Sequence, residues 1–247
     1  MRYELEVCVP SAEGAMVAQK GGACRVELCA ALAIGGITPS MACIERACEL
    51  TDLDVYVLVR PREGHFVYAK VEVEEMCRDI KMARKLGVDG FVFGALTLQG
   101  AYDYEANSRL LEAADGLPCT FHRAFDVARQ PNELLEVLIE QGFRRVLTSG
   151  CAASVVEGLP LLRELTVQAA GRIGVQCGGG VTPENIESLA RFTGARMFHG
   201  SFRSTVPSPL LFDRKEIDMG ANPDGSLYVT SLEKVSKASH ILSNFFS

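Results

Sequence analysis

Eight short apolar runs, separated by longer segments of helical periodicity, constrain this chain more than any other feature of its sequence. The runs lie near Glu4–Val9, Arg25–Cys29, Asp54–Arg60, Gly90–Gly94, Cys119–Arg123, Arg145–Thr148, Gly174–Cys177 and Met197–Gly200. Strands that alternate with helices are typical of parallel βαβ units, because parallel strands need a crossover connection. Eight units can close a barrel, and the 247 residues match the roughly 250 typical of one. The sequence therefore predicts an α/β fold, a single (β/α)8 TIM barrel over residues 1–247.

Four glycines at the ends of predicted helices form an internal repeat. Gly22, Gly87, Gly142 and Gly194 each precede an even-numbered strand, and successive copies are 65, 55 and 52 residues apart. A period of two βα units suits a barrel assembled from repeated pairs. A doubly wound sheet is the alternative, but the sequence lacks the glycine-rich first turn of a dinucleotide-binding fold.

The connection after the eighth strand is unusually long. From Ser201 to about Tyr228 the sequence has three prolines and two glycines without a clear period. Loops of this length are usually functional covers or mobile segments. We therefore expect a long loop after strand eight, either over the site or at a subunit contact, and then a closing helix near Ser231–Phe245.

Charge and cysteine content restrict the partners and the compartment of the protein. The net charge is −6 and no run of lysine or arginine occurs, so we expect binding neither to nucleic acid nor to an anionic membrane. No segment approaches the ~20 apolar residues of a membrane-spanning helix, and the chain starts without an apolar signal region. Nine cysteines at irregular spacing are atypical of a secreted disulfide scaffold. These features predict a cytoplasmic protein with reduced thiols.

Polar side chains interrupt the strands, although the strands of a parallel barrel normally read as nearly unbroken apolar runs. Strand parity and strand ends place one set at the barrel axis or its mouth: Glu6, Cys8, Glu27, Cys29, Arg60 and His122. Unpaired charges in a dry interior are costly. The charged members therefore either form a structural ion-pair layer or line a wet pocket at the C-terminal mouth, where barrel enzymes work. In such a pocket, His122 near a carboxylate could act as acid or base near neutral pH.

Glycines follow the seventh and eighth strands, where barrels often bind phosphate through backbone N–H groups and a helix start. Gly179 and Gly180 lie in the first of these loops, and Gly200 and Ser201 in the second. Simple tight turning is the alternative interpretation of the same glycines. These four residues are candidates to bind a small anionic ligand.

Two cysteines stand apart from the other seven because each ends a strand that should neighbour the other. Cys8 and Cys29 should both face the axis, and two adjacent thiolates suit a soft ion such as Cu(I). Ordinary packing of buried thiols is the alternative, since the sequence has no CxxC and no HxH motif. We interpret His199 as a core or capping histidine rather than a ligand.

Six motifs, in order along nearly the whole chain, resemble those of the CutC family of copper homeostasis proteins. They are Glu6-Val7-Cys8, Arg25-Val26-Glu27-Leu28-Cys29, Gly35-Gly36-Ile37-Thr38-Pro39-Ser40, Arg60-Pro61-Arg62, Thr120-Phe121-His122-Arg123-Ala124-Phe125-Asp126 and Arg145-Val146-Leu147-Thr148-Ser149-Gly150. The resemblance implies a cytoplasmic (β/α)8 barrel that assembles as a homo-oligomer and is linked to copper tolerance. It implies the pocket residues Glu6, Glu27, Arg60, His122, Arg123 and Asp126. It also implies that Cys8 and Cys29 are the copper ligands.

Two functions are therefore compatible with the sequence. In the first, the protein handles copper and binds Cu(I) through Cys8 and Cys29. In the second, it is an enzyme that acts on a small anionic or phosphorylated substrate at the barrel mouth. Glu27 and His122 would then transfer protons, Arg60 and Arg123 would bind the anion, and the glycines after strand seven would bind phosphate.

Overall fold

A closed barrel of eight parallel strands forms the centre of the protein in the computed structural model, which describes residues 3–212 and 225–247. The strands are β1 (Glu4–Val9), β2 (Arg25–Leu28), β3 (Asp54–Leu58), β4 (Gly90–Phe93), β5 (Cys119–Phe121), β6 (Arg145–Thr148), β7 (Gly174–Gly178) and β8 (Met197–Gly200). Each strand pairs with the next in sequence, and β8 pairs with β1 to close the ring. The predicted (β/α)8 fold is confirmed.

Among the described residues, eight α-helices surround the barrel, one after each barrel strand. They are α1 (Ala12–Lys20), α2 (Met41–Leu50), α3 (Lys70–Arg84), α4 (Tyr104–Ala114), α5 (Pro131–Glu140), α6 (Leu159–Ala169), α7 (Ile186–Thr193) and α8 (Leu232–Phe245). Ser40 begins α2 and Ser231 begins α8, each with a side-chain oxygen that accepts from a backbone N–H of the first turn. In the described part of the chain, no helix is long and apolar enough to cross a bilayer.

The main core lies between the barrel and the helices. Leu5, Val7 and Val9 of β1 are fully buried on the helix-facing side, and the other strands contribute to the same cluster. Each such side chain stabilises the fold by roughly 1.5–3 kcal/mol relative to exposure. The polar side chains of β1 and β2 therefore lie on the opposite face, which points into the barrel.

Two strands end two residues earlier than predicted. β3 ends at Leu58, before Arg60, and β5 ends at Phe121. A 3-10 helix over Arg123–Val127 follows β5, and the side chain of His122 caps it by accepting from Ala124 N. The polar residues leave the strand ladder because their side chains bind loop backbone at the mouth of the barrel.

The long connection after β8 begins and ends in an antiparallel strand pair. β9 (Arg203–Val206) pairs with β10 (Leu227–Thr230). The predicted loop from Ser201 to Tyr228 is therefore partly regular, contrary to the expectation from its composition. Residues 213–224 lie outside the described part, and the predicted cover or subunit contact falls partly on them.

Candidate functional site

An ion-pair layer fills the barrel below its mouth. Arg25 of β2 donates to Glu6 of β1, and both side chains are 1% exposed. A terminal nitrogen of Arg25 also lies 2.9 Å from Glu4 Oε2. Burial alone would raise the pKa of the Glu6 carboxyl, but Arg25 and His199 hold this pKa below its usual range. Glu6 therefore belongs to the structural ion-pair layer that was one of the two alternatives. Its charge is neutralised inside the barrel, and it does not line the cavity above.

Above this layer, a cavity of about 450 Å³ opens at the C-terminal ends of the strands. Nine of the twelve predicted site residues line it: Cys8, Glu27, Arg60, His122, Arg123, Gly179, Gly180, Gly200 and Ser201. Glu6, Cys29 and Asp126 do not line it. Apolar walls are supplied by Leu58, Phe66 and Leu147, among others. A few polar groups on an apolar wall are typical of small-molecule sites.

The two strand-end cysteines are in contact. Cys8 Sγ lies 3.4 Å from Cys29 Sγ and also donates to Glu27 Oε1 at 3.2 Å. Both thiols are free and buried, and Cys29 lies behind Cys8 with its thiol donating to the carbonyl of Val9. The hydrogen bond with Cys29 and burial raise the pKa of the Cys8 thiol well above its usual value. The cavity therefore reaches this pair through Cys8.

His199 belongs to the site, although its sequence context favours a core or capping histidine. Its Nδ1 lies 2.7 Å from Glu6 Oε1, and its ring contributes to the cavity wall. Potential ligand atoms of Cys8, Glu27 and His199 all lie within 4.8 Å of one another. Burial opposes the charged ring, but Glu27, Cys8 and Glu6 raise the pKa of His199 well above its ordinary value. No local sequence signal identifies His199, because its position opposite Glu6 results from the pairing of β8 with β1.

His122 offers a fixed hydrogen-bond donor to the cavity. Its Nδ1 accepts from Ala124 N, so the neutral ring carries its proton on Nε2. Nε2 has no hydrogen-bond partner among the described residues. Burial and the nearby charge of Arg60 lower the pKa of His122 to about 3. The expectation of an acid or base that titrates near neutral pH is therefore wrong, because this ring stays neutral there.

Arg60 uses most of its guanidinium to hold two loops. One terminal nitrogen donates to the carbonyls of Ile34 and Gly36, and the other donates to that of Gly64. Its Nε has no partner among the described residues. Arg60 therefore positions the loops after β2 and β3, and of its guanidinium only the Nε–H group is left for the predicted anion.

Arg123 is held at the cavity by Asp126. Its Nε donates to Asp126 Oδ2 at 2.7 Å, and a terminal nitrogen donates to Ser149 Oγ at 3.0 Å. Asp126 also accepts from the backbone N–H of Ser149, so it ties the loops after β5 and β6 together. Gly179 has a φ of +105°, and a Cβ there would lie 3.1 Å from Arg123 Cζ. Asp126 is thus a positioning residue, and glycine at 179 leaves room for the guanidinium.

Three buried polar atoms at this cavity lack partners within the described part of the chain: Glu27 Oε2, Arg60 Nε and His122 Nε2. Buried polar groups are normally hydrogen-bonded, so such a set indicates a ligand or ordered water. Two are donors and one is a carboxylate oxygen. A small molecule with acceptor oxygens and a hydroxyl group would complement them.

Comparison with known proteins assigns this chain to a family. It matches the CutC family over residues 3–204. A Porphyromonas gingivalis (strain ATCC 33277) family protein CutC is 49% identical over 98% of this chain and 99% of its own length. The human copper homeostasis protein cutC homolog is 45% identical over 98% of this chain and 90% of its own length. A crystal structure of CutC from Streptococcus agalactiae, 36% identical, superposes with a TM-score of 0.77 over 81% of this chain and 98% of that one. The chain belongs to the CutC family.

Proposed function

We propose that this protein takes part in copper homeostasis by binding Cu(I) through Cys8 and Cys29. The observation that carries the proposal is the 3.4 Å separation of the two sulfur atoms at the base of the cavity. Thiolates are soft ligands that suit Cu(I), and no other pair of thiols is in contact in the described residues. The name of the human relative refers to copper homeostasis, which agrees with this function.

The two thiols are buried, so a metal ion loses its bound water molecules when it binds to them. Cys8 lines the cavity and Cys29 is fully buried behind it, so an ion that enters through the cavity reaches Cys8 first. Metal binding requires both thiols to lose their protons. Glu27, whose Oε1 already accepts from Cys8 Sγ, is placed to receive the proton of Cys8.

Replacement of Cys8 and Cys29 by serine should abolish tight Cu(I) binding. We expect about one ion per wild-type chain and an affinity lower by well over 100-fold in the double variant, because even the loss of an outer-shell group costs metal sites about 10–100-fold. The measurement is an anaerobic Cu(I) titration of reduced protein against a competing chelator. The matched control is the Cys43→Ser, Cys48→Ser variant, which removes two half-buried thiols of α2. Stoichiometric binding by the Cys8, Cys29 variant would rule the pair out.

A cytosolic location and a homo-oligomeric assembly are part of the same proposal. All nine cysteines are free, as expected in a reducing compartment. The resemblance to the CutC family implies the oligomer. Light scattering on purified protein tests it, and a monomeric mass at micromolar concentration would contradict it.

A second candidate function is an enzyme that acts on a small anionic or phosphorylated substrate. The unpartnered Glu27 Oε2, Arg60 Nε and His122 Nε2 at one cavity favour it. In this function His122 is a neutral donor that polarises a substrate oxygen, rather than a group that exchanges protons. Gly179 and Gly180 remain the proposed contacts for phosphate.

The His122→Asn variant tests the second function. Asparagine can still accept from Ala124 N but is too short to replace the Nε2 donor. We expect wild-type protein to bind glycerol phosphate and the variant to bind it roughly 10- to 100-fold more weakly, the usual effect of losing a hydrogen bond to a charged group. Ligand-observed NMR measures both, with inorganic phosphate as the second probe. No binding, or equal affinity for the two proteins, would contradict this function.

A further inference from the structure

Three different metal-ligating atoms converge on one wall of the cavity. Cys8 offers sulfur, Glu27 offers oxygen and His199 offers nitrogen, and these atoms lie within 4.8 Å of one another. All three residues line the cavity. The set differs from the proposed copper pair, because it includes neither Cys29 nor a second thiol.

The barrel fixes the three residues relative to one another. They come from β1, β2 and β8, which are consecutive neighbours in the ring. Cys8 stands directly opposite Glu27 in the β1–β2 register, and the β1–β8 register places His199 opposite Glu6. Because each residue belongs to the strand ladder, the donor atoms are held together before any ion binds. This is the rigidity that a metal site needs.

The imidazole of His199 is already oriented for a metal. Its Nδ1 faces Glu6 Oε1 at 2.7 Å, which leaves Nε2 to bind an ion, and the ion displaces the protons of Nε2 and of the Cys8 thiol to solvent as it binds. Glu6 is held in turn by Arg25 and by Gln176, whose Nε2 donates to Glu6 Oε1 at 2.8 Å. A carboxylate behind a ligating histidine is the usual outer-shell arrangement of metal sites, where it fixes the ring and its tautomer.

We propose that Cys8, Glu27 and His199 bind one zinc ion, with a further coordination position open to the cavity. Zinc accepts sulfur, nitrogen and oxygen ligands, and catalytic zinc sites have three protein ligands and one open position. Glu27 Oε2 has no partner among the described residues, so this oxygen is available to the ion. Cu(II), which binds comparable sites more tightly in general, is less suited here because the set includes a free thiol that it can oxidise.

The open coordination position determines which small molecules can bind to the zinc ion. The cavity brings Arg60 Nε and His122 Nε2, both unpartnered donors in the described chain, into the same space. A small molecule that offers a carboxylate or carbonyl oxygen to zinc would satisfy these donors with its other acceptor oxygens. Because Cys8 belongs to both metal sets, bound zinc and bound Cu(I) exclude each other.

The test is a zinc titration of reduced protein in competition with a chromophoric chelator. We expect one ion per wild-type chain, and an affinity lower by on the order of 100-fold or more in Glu27→Gln and in His199→Gln. Cys177→Ser, which changes a buried thiol outside the cavity, is the neutral control and should keep the zinc affinity of the wild type. Co²⁺ in place of zinc should give a thiolate charge-transfer band that Cys8→Ser removes.

Two results would overturn the proposal: no stoichiometric zinc binding by the wild type, or unchanged zinc affinity in Glu27→Gln. Thermal unfolding checks that each variant is folded. If His199→Gln fails to fold, Glu27→Gln decides, since its Oε2 makes no hydrogen bond within the described residues. The two metal proposals fail separately, because Glu27→Gln removes a zinc ligand and leaves both thiols of the copper pair in place.

Discussion

Replacement of Arg25 by methionine is expected to destabilise the fold by about 3–5 kcal/mol, because it leaves the buried Glu6 carboxylate without its strongest partner. Both side chains are 1% exposed, so water cannot take the place of the guanidinium. Methionine fills much of the volume of arginine, and the effect therefore reports the lost charge more than a cavity. The measurement is equilibrium unfolding in urea near neutral pH.

Arg172→Met is the matched control for this prediction. Arg172 also pairs with a carboxylate, that of Glu136, but both side chains are at least 40% exposed. An exposed pair contributes at most about 1 kcal/mol, so the control should unfold close to the wild type. Addition of Glu6→Gln to Arg25→Met should recover part of the loss, because it removes the uncompensated charge. Equal losses for the two arginines would contradict a special role for the buried pair.

The barrel could be predicted because local sequence patterns determine its strands and helices. Each strand is a short, largely apolar run and each helix follows a helical period, with side-chain N-caps on α1, α2, α4 and α8, so the order of elements follows from the sequence. The ends of two strands could not be predicted in the same way. Arg60 and His122 continue the strand pattern of their chain neighbours, whereas in the structure Arg60 donates to the carbonyl of Gly36 and His122 accepts from the N–H of Ala124.

The depth of each polar residue in the barrel could not be predicted. Strand parity correctly places Glu6 and Glu27 on the inner face, but it does not give the stagger between β1 and β2. The register sets Glu6 beside Arg25 and Cys8 beside Glu27. Glu6 therefore lies in the ion-pair layer and Glu27 at the cavity. The stagger between strands depends on how the whole barrel closes, so the sequence of one strand cannot determine it.

His199 shows the same limit more clearly. A lone histidine in an apolar strand is usually part of the core, and the sequence around it gives no other indication. Its importance comes from closure of the ring, which joins the last strand to the first and brings His199 to Glu6 over 193 positions of sequence. Contacts between the ends of the chain are the least accessible to reasoning from local pattern.

Acid should destabilise this protein partly through His122. The folded-state pKa of His122 is about 3, against an ordinary value of 6.5, because burial and Arg60 oppose the charged ring. Above pH ~6.5 the ring is neutral in both states and has no effect on the pH dependence of stability. As pH falls from there toward 3, the unfolded chain takes up a proton that the folded chain does not. Stability should then decrease by up to about 1.4 kcal/mol per pH unit from this group alone.

The difference between wild type and His122→Asn isolates this contribution, because asparagine does not titrate and can still accept from Ala124 N. Urea unfolding at several pH values between 6.5 and 4 should give a shallower loss of stability for the variant, with the two curves diverging steadily as pH falls. The same substitution at His240, which is exposed on α8, provides the control and should leave the slope of the wild type unchanged. Parallel curves for wild type and His122→Asn would mean that the ring takes up its proton in the folded state near the ordinary pH. The cavity would then hold a charged histidine instead of the neutral Nε2 donor on which ligand binding at this site depends.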